Sequence, residues 1–454
     1  MRATVGHMTT HVTISSGLDR SVIVSWYRRN RDRSRALLDL VADEAYFDRP
    51  IGQRHPIVFY EGHLPAFSFN TLVKKALGRP SIDARLEQLF ARGIDPGENH
   101  SSRGTSESWP TRETVRAFVE EADRRVLDAL EHDELDRPGH PLLDRGEGVF
   151  AILEHEAMHQ ETLLYMWQRL PFDRKRKPVA YVPRVDGRVP SPEWIQVPAG
   201  LATLGINREA ELFTWDNERP ACVASVPTFR IDRHDVTNAA FLDFVESGGY
   251  GDERWWRPED WRWIQQEHVS HPLFWERHGD VWHWRGMFEL IPLPLSWPVY
   301  VSFAEAAAYA RWSGARLPTE AEFQRAAFGT PDDGERQYPW GNAEPSGGHG
   351  VFDFTTWDPE PAGSYRDGRS AWGIDDLVGN GWEWTSTPFA PFPGFVPLPS
   401  YPEYSADFFD EEHFVMKGAS PATARELLRP TFRNWFRPRY PYVYATFRCA
   451  TETR

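Results

Sequence analysis

Hydrophobic residues recur every three or four positions in the first third of the chain and lose that period afterwards. This spacing is typical of amphipathic helices, and it covers four stretches: residues 22–41, 57–77, 115–130 and 149–167. Four such helices predict a four-helix bundle. The third helix is expected to begin near Thr111, because Pro110 precedes it and Glu113 supplies an acidic first turn.

Beyond residue 194 the chain reads as short strands separated by turns rich in Gly, Pro, Asn and Asp. Strand patterns occupy 194–197, 202–205 and 229–231, and a helical period returns only over 238–246 and 303–312. The expected fold class is therefore α+β. We predict a helical bundle over 1–170, a linker over 171–193 and a loop-rich domain over 194–454.

Composition narrows the functional classes. The net charge of −15 argues against a nucleic-acid partner or an anionic membrane surface. No apolar run approaches the ~20 residues that a membrane span requires, and the N-terminus lacks the apolar core of a signal peptide. Two cysteines exclude a disulfide scaffold and fit a reducing, cytoplasmic location. The 20 tryptophans suit a loop-rich domain stabilised by large aromatic side chains.

The strongest chemical signal lies in the fourth predicted helix. His155 and His159 are one turn apart and share a helical face, so both imidazoles can reach one metal ion. His63 in the second helix supplies a third ligand, and Glu161 can serve as a partner that orients a ligating histidine. Three nitrogen ligands with open positions favour Fe(II) that handles O2, with Zn(II) hydrolysis as the competing interpretation.

With this histidine pattern, the chain resembles a known family, the EgtB-type non-heme iron sulfoxide synthases of ergothioneine biosynthesis. Their pattern is matched by His63, His155, His159 and Glu161 on a DinB-like bundle. The second half resembles the formylglycine-generating-enzyme, C-type-lectin-like fold in six motifs: DNERP at 216–220, VTN at 236–238, ARLPTEAE at 315–322, YPWGN at 338–342, GNGWEWT at 379–385 and RPTFRNW at 429–435. A formylglycine-generating oxidase is disfavoured, since the cysteine pair of such enzymes has no counterpart at matching positions.

The resemblance implies a role for individual residues. The three histidines would hold Fe(II), and its open positions would admit O2 and a thiolate or selenolate. Asn434 and Trp435 match the positions that bind hercynine, the trimethylated betaine of histidine. Tyr401 aligns with the catalytic tyrosine, and Tyr404 aligns with the tyrosine near the acceptor. Met158 stands where some relatives place a glutamine that faces hercynine.

Two departures from the family pattern concern the sulfur or selenium donor. Phe436 and Tyr440 replace an aspartate and an arginine that grip γ-glutamylcysteine in mycobacterial-type relatives. In the loop before the third helix, Arg103 stands alone where those relatives carry paired arginines. Arg437 and Arg439 lie near enough in sequence to contact the donor. An aromatic pocket poor in charge is expected, and it fits a neutral sugar.

The sequence therefore indicates the selenoneine synthase (SenA-type) branch, which joins hercynine to a selenosugar. An ergothioneine-pathway sulfoxide synthase that uses γ-glutamylcysteine or cysteine is the alternative. A catalytically inactive binding module of the same two folds is a third hypothesis, and the intact His63, His155, His159 and Tyr401 argue against it.

Overall fold

The computed structural model describes residues 18–91 and 109–453. The first half is helical, and its α-helices are α1 (Arg20–Asp39), α2 (Ile57–Ser68), α3 (Ala84–Leu89), α4 (Arg112–His132) and α5 (Glu147–Arg169). Helices α1, α2, α4 and α5 pack together as the predicted bundle. Within the described ranges, none of the helices is both long and apolar enough to cross a membrane.

The helix starts follow local sequence signals. The Asp19 side chain accepts hydrogen bonds from the backbone N–H groups of Ser21 and Val22 at the start of α1. Thr111 caps α4 as predicted, since its hydroxyl accepts the N–H of Thr114. Both caps satisfy N–H donors that the first helical turn leaves unpaired.

The predicted second helix, 57–77, is one continuous run in two forms. Helix α2 passes directly into a π-helical segment, Phe69–Ala76. Gly62 lies within α2, and a Cβ added there would approach the ring of Phe90 to 2.5 Å. The missing side chain therefore lets Phe90 sit against this face of α2, beside His63.

The segment after α5 runs back along the bundle before it enters the second half. The backbone N–H of Arg176 donates to the carbonyl of Leu40 at 2.7 Å. Further on, the Tyr181 hydroxyl donates to the carboxylate of Asp358 at 2.6 Å. This segment therefore contacts both halves of the chain.

The second half contains short strands: β1 (Trp194–Val197), β2 (Gly200–Leu204), β3 (Cys222–Val226), β4 (Phe229–Asp232), β5 (Trp275–His278), β6 (Val281–Arg285), β7 (Leu290–Pro292), β8 (Gly381–Pro388), β9 (Phe414–Ala419), β10 (Asn434–Phe436), β11 (Ala445–Thr446) and β12 (Ala450–Glu452). They form four small sheets, ordered β1-β4-β12, β2-β3, β5-β6-β7 and β10-β9-β8-β11. The last is antiparallel except for β11, which pairs parallel to β8. Strand β10 carries Asn434 and Trp435 to the edge of this sheet.

Helices α6 (Asn238–Glu246), α7 (Pro258–Gln266), α8 (Phe303–Trp312) and α9 (Glu320–Phe328) surround these sheets. The periodicity located α6 and α8 correctly but missed α7 and α9. Helix α9 begins with a capping box, in which Thr319 and Glu322 each bind the other's backbone N–H. The mixture of a helical bundle and small sheets with long loops confirms the predicted α+β class.

Candidate metal and substrate site

Three histidines from two bundle helices converge beneath the second half of the chain. One ring nitrogen of each of His63, His155 and His159 lies within 4.8 Å of the others. The ring centroids are 5.1 Å apart for His63 and His155, and 4.4 Å apart for the two α5 histidines. The structure thus brings together the three side chains that the sequence selected as metal ligands.

The orientation of His63 is fixed from behind. Its Nδ1 atom donates to the carbonyl oxygen of Phe90 at 2.9 Å, and Phe59 stacks on its ring. An N–H at Nδ1 places the lone pair on Nε2, which is the arrangement found in metal-binding histidines. Gly62 permits the close approach of Phe90, and the Phe90 carbonyl in turn fixes the orientation of the His63 imidazole.

The other two histidines have ring nitrogens without hydrogen-bond partners among the described residues. These are both nitrogens of His155 and Nδ1 of His159. Burial lowers the pKa of His63 to about 4 and lowers the pKa of His155 and His159 well below the ordinary value. Neutral, buried imidazoles with unpaired nitrogens are suited to a transition metal, so the donor set fits Fe(II).

Phe67 supports this cluster from the side of α2. Its ring lies parallel to that of His155, with centroids 3.5 Å apart and planes 9° apart. Neither ring nitrogen of His155 has a hydrogen-bond partner among the described residues that would orient the side chain. The stacking on Phe67 restricts its rotation instead.

Glu161 does not orient a histidine as the sequence suggested. Its carboxylate accepts hydrogen bonds from Trp382 Nε1 at 2.8 Å, Ser420 Oγ at 2.7 Å and Thr423 Oγ1 at 3.1 Å. All three donors belong to the second half, so Glu161 joins α5 to that half. Within 18–91 and 109–453, no hydrogen bond from Glu161 to either α5 histidine is present.

One cavity lies between the two halves and reaches the α5 histidines. Its walls include most of the residues that the resemblance implied, together with others that it did not. The lining residues are Arg54, His155, Met158, His159, Glu161, Thr162, Tyr165, Trp382, Tyr401, Tyr404, Phe408, His413, Leu427, Phe432, Asn434, Trp435, Phe436 and Val443. Aromatic side chains dominate this list, as in many sites for small organic molecules.

The two tyrosines occupy different depths of the cavity. The half-buried ring of Tyr401 lies 6.1 Å from that of His155 and 5.8 Å from that of Tyr404. Tyr404 is buried, and its hydroxyl donates to the sulfur of Met158 at 3.2 Å. Burial raises the pKa of the Tyr404 phenol well above its usual value. Tyr401 is therefore the tyrosine beside the histidine cluster, whereas Tyr404 pairs with Met158.

The loop that carries these tyrosines is anchored to the 216–220 motif. Trp215 stacks on Tyr404 with ring centroids 4.0 Å apart. The Ser405 hydroxyl donates to the carboxylate of Asp216, and the backbone N–H of Ser400 donates to Glu147 in α5 at 3.2 Å. These contacts hold the loop in place, and they therefore hold Tyr401 beside the histidines.

Asn434 and Trp435 follow one another on β10 and line the same cavity, where the Trp435 ring lies 5.2 Å from that of Tyr404. The Asn434 side-chain oxygen accepts the backbone N–H of Trp435 at 2.9 Å, which leaves its amide N–H groups directed elsewhere. Trp435 stacks on Phe389 at 4.3 Å, with planes 5° apart. A fixed indole face and an amide donor therefore stand next to each other in one cavity.

The far end of the cavity is aromatic, and the described residues place one cation there. Phe436 lines the cavity, and Tyr440 stacks directly behind it at 5.2 Å. Arg54, from the loop between α1 and α2, lines the same end and donates from Nε to the Tyr440 hydroxyl at 2.9 Å. The expectation of a pocket poor in charge is thus wrong at this point, because a residue remote in sequence brings a guanidinium there.

The arginines that follow Phe436 point away from the cavity. Arg437 lies 3.9 Å from Glu412, and Arg439 lies 3.2 Å from Asp260. Both line a neighbouring groove rather than this cavity. Arg103 lies outside the described residues.

Two buried carboxylates share one arginine next to His155. Arg429 donates to Glu154 at 2.8 and 2.9 Å and to Glu218 at 2.6 and 2.8 Å. Burial raises the pKa of Glu154 to about 7, although Arg429 opposes that rise. Since Glu154 belongs to α5 and Glu218 to the second half, the triad is a second contact that fixes α5.

Sequence reasoning missed several residues of this site. Phe67 was visible only as an apolar helix position, and Arg54 lies in a loop without any motif. Arg429 opens the 429–435 motif, which was a usable signal for the triad. Tyr165 lies one turn after Glu161, where its spacing indicated only a core position.

Comparison with known proteins agrees with this organisation. Residues 180–453 match the sulfatase-modifying factor enzyme 1-like domain, and residues 27–163 match the DinB superfamily. The chain is 36% identical to a hercynine oxygenase of Mycolicibacterium smegmatis over 74% of its own length and 78% of that protein. It is 27% identical to ergothioneine biosynthesis protein 1 of Neurospora crassa, over 91% of its own length and 56% of that protein.

Among solved structures, PvdO from Pseudomonas aeruginosa is 20% identical with a TM-score of 0.39, and the match covers 61% of this chain and all of that one. The two domain matches in order and the extent of the similarity to the M. smegmatis protein determine the family. The chain belongs to the hercynine oxygenase family of enzymes, in which a DinB-type helical domain precedes a sulfatase-modifying-factor-like domain.

Proposed function

We propose that this enzyme uses Fe(II) and O2 to join a sulfur or selenium donor to the imidazole C2 of hercynine. The observation that carries the proposal is the cluster of three neutral histidines, two of which, His155 and His159, line the same cavity as Tyr401, Asn434 and Trp435. The names of the relatives, hercynine oxygenase and ergothioneine biosynthesis protein 1, support the same acceptor.

In the proposed reaction, the imidazole C2–H and the S–H or Se–H bond are broken and a bond forms between carbon and the donor atom. One oxygen atom of O2 ends on sulfur or selenium, and the other leaves as water with the two hydrogens. O2 is the oxidant and both substrates are oxidised. Bound Fe(II), held by His63, His155 and His159, would supply the reduction of O2 and a place for the donor atom.

The remaining residues bind the acceptor and move protons. Hercynine carries a carboxylate, which the Asn434 amide can bind, and a quaternary ammonium, which suits the indole face of Trp435. The Tyr401 ring lies 6.1 Å from that of His155, and its hydroxyl would deliver a proton or hydrogen atom. Met158 and Tyr404, already paired with each other, would form the wall against the imidazole of the acceptor.

For the donor, we propose an uncharged seleno- or thio-sugar, which places the enzyme in the SenA-type branch. Phe436 and Tyr440 offer a stacked aromatic platform, and Arg437 and Arg439 are engaged with Glu412 and Asp260 outside the cavity. The second candidate is γ-glutamylcysteine or cysteine, which would make the enzyme an ergothioneine-pathway sulfoxide synthase. The naming of the relatives favours that candidate.

We also propose that residues 1–170 and 194–454 are the two domains and that 171–193 joins them, which the ranges of the two family matches support. A cytoplasmic location is supported by the free thiols of Cys222 and Cys449. The net charge of −15 supports small-molecule partners rather than nucleic acid or a membrane.

The first test is anaerobic reconstitution with Fe(II), followed by hercynine and O2 with a panel of thiol and selenol donors. We expect one iron per chain and coupling of at least one donor. His159→Ala should lose iron and activity, whereas His132→Ala, which removes an exposed histidine at the end of α4, should keep both. Full iron and full activity in His159→Ala would refute the metal assignment, and iron without coupling would favour the inactive binding module.

The second test is a competition between 1-thioglucose or 1-selenoglucose and γ-glutamylcysteine at equal concentration. Preferential coupling of the sugar supports the SenA-type assignment. Preferential coupling of the dipeptide would replace it with the ergothioneine-type alternative.

A further inference from the structure

Two phenylalanines and one histidine follow one another along one face of α2. Phe59, His63 and Phe67 are four residues apart, and this spacing keeps side chains on the same face of a helix. The Phe59 ring stacks on His63, with centroids 4.9 Å apart. Phe67 stacks instead on His155 of the facing helix α5. Each of these two histidines therefore has one phenylalanine ring of α2 against it.

The two histidines differ in what else orients them. The Nδ1–H of His63 donates to the carbonyl oxygen of Phe90. For His155, neither ring nitrogen has a hydrogen-bond partner within 18–91 and 109–453. A metal-binding histidine usually donates its second N–H to an oxygen that fixes the orientation of the ring. The parallel ring of Phe67, with its centroid 3.5 Å away, is a contact that can serve the same purpose for His155.

Phe67 also contacts Tyr401. Their ring centroids are 5.3 Å apart, whereas those of Tyr401 and His155 are 6.1 Å apart. The half-buried ring of Phe67 is thus closer to each of these two side chains than they are to each other. The described residues that line the cavity do not include Phe67. An effect of Phe67 on the reaction therefore passes through the side chains that it contacts.

We propose that Phe67 is a positioning residue that holds His155 in the orientation needed for metal binding and sets the distance between His155 and Tyr401. This inference rests on the proposed function, which assigns the metal to the histidines and the proton or hydrogen-atom transfer to Tyr401. It deepens that function, because a residue that neither binds the metal nor lines the cavity would control both the metal affinity and the product ratio.

Three variants separate the stacked ring from general packing. Phe67→Leu removes the ring and keeps an apolar side chain, whereas Phe67→Tyr keeps the ring. Phe150→Leu is the matched control, because Phe150 is also half-buried, packs against the same apolar cluster of the bundle and belongs to α5. The Phe150 ring stacks on Phe213, with centroids 5.9 Å apart. Urea unfolding of the metal-free proteins reports whether each variant is folded.

The first measurement is anaerobic titration of the metal-free protein with Fe(II) and with Co(II), whose visible absorption depends on the geometry of its ligands. We expect Phe67→Leu to bind both metals about tenfold or more weakly and to alter the Co(II) spectrum, since changing a group that orients a metal ligand commonly costs about 10–100-fold in affinity. Phe67→Tyr and Phe150→Leu should match the wild type. Wild-type affinity and spectrum in Phe67→Leu would overturn the inference, as would an equal loss of affinity in Phe150→Leu.

The second measurement follows the products at saturating Fe(II), with hercynine, O2 and either 1-thioglucose or γ-glutamylcysteine as donor. We expect Phe67→Leu to lower the ratio of coupled product to donor oxidised alone and to leave the KM for hercynine unchanged. Phe67→Tyr should restore the ratio, because it restores the ring. An unchanged ratio in Phe67→Leu at full iron occupancy would overturn the assigned effect on Tyr401.

Metal binding separates this inference from the proposed function. If the wild type couples no donor but Phe67→Leu still weakens Co(II) binding, the role of Phe67 toward His155 stands and the proposed reaction fails. If the wild type couples a donor and Phe67→Leu binds metal and forms product equally well, the proposed function stands and this inference fails. Absence of metal binding by the wild type would refute both.

Discussion

Replacing Arg429 by methionine should destabilise the contact between the two halves. The loss of stability should be larger than that caused by removing an exposed ion pair. Arg429 is the single cation between Glu154 of α5 and Glu218 of the 216–220 motif. The two carboxylate side chains are 5% and 0% exposed. Methionine fills a similar volume but leaves both carboxylates without their counter-charge.

The size of the effect follows from this burial. Arg429 makes four hydrogen bonds to the two carboxylates. Removing one partner of a buried ion pair typically costs 3–5 kcal/mol, because the remaining charge stays out of water. We therefore expect Arg429→Met to lower the free energy of unfolding by about 3–5 kcal/mol. Glu154→Gln should cost less, because Arg429 and Glu218 remain as a pair.

The assay is urea unfolding at pH 7 followed by tryptophan fluorescence, with Arg425→Met as the control. Arg425 pairs with Asp353 at 2.7 Å but is 54% exposed, so its loss should cost no more than about 1 kcal/mol. If Arg429→Met and Arg425→Met lost the same stability, the triad would not stabilise the contact between the halves, and the reasoning from burial would be refuted.

Three other variants test separate parts of the structure. Tyr401→Phe should keep hercynine affinity within about twofold, since the hydroxyl acts only in the chemical step. The products should shift toward oxidation of the donor alone, as measured by mass spectrometry. Unchanged yield and rate would remove Tyr401 from the mechanism. Phe436→Asp combined with Tyr440→Arg should depress the use of 1-thioglucose and raise that of γ-glutamylcysteine, and an unchanged ratio would contradict the donor assignment. Burial lowers the pKa of Lys175 from its ordinary 10.5 to about 7, so only the unfolded chain holds this proton between those values and stability should rise with pH across them. Lys175→Met should raise stability at pH 7 and reduce that rise in urea titrations, and an unaltered pH dependence would show that Lys175 does not cause it.

The bundle and the α5 histidine pair were accessible from sequence because both depend on local spacing. A period of 3.6 residues located four helices, and the i, i+4 relation placed His155 and His159 on one face. Helix length does not explain which short helices the pattern missed, because α6, α7 and α9 each have nine residues and only α6 was located. The resemblance supplied Tyr401, Asn434 and Trp435, which no periodicity could have joined to the histidines.

Long-range contacts account for what sequence could not supply. Arg54 and Tyr440 are 386 positions apart, and only the folded chain shows that they share a hydrogen bond. Glu161 was assigned to the histidines because it is near them in sequence, yet its side chain points to three donors of the other half. In both cases the direction of a side chain, rather than its position in the chain, determines its role.

Helix α5 is anchored to the second half of the chain on both sides of its histidine pair. Glu154 precedes His155 and is held by Arg429, while Glu161 follows His159 and is held by Trp382, Ser420 and Thr423. The two anchored carboxylates, Glu154 and Glu161, are seven residues apart, which is about 10 Å along the helix axis. Because seven residues make about two helical turns, both carboxylates lie on one face of α5. A screw motion of α5 would break both together, so transplanting the histidine pair into another helical scaffold would also require both anchoring carboxylates and their partners.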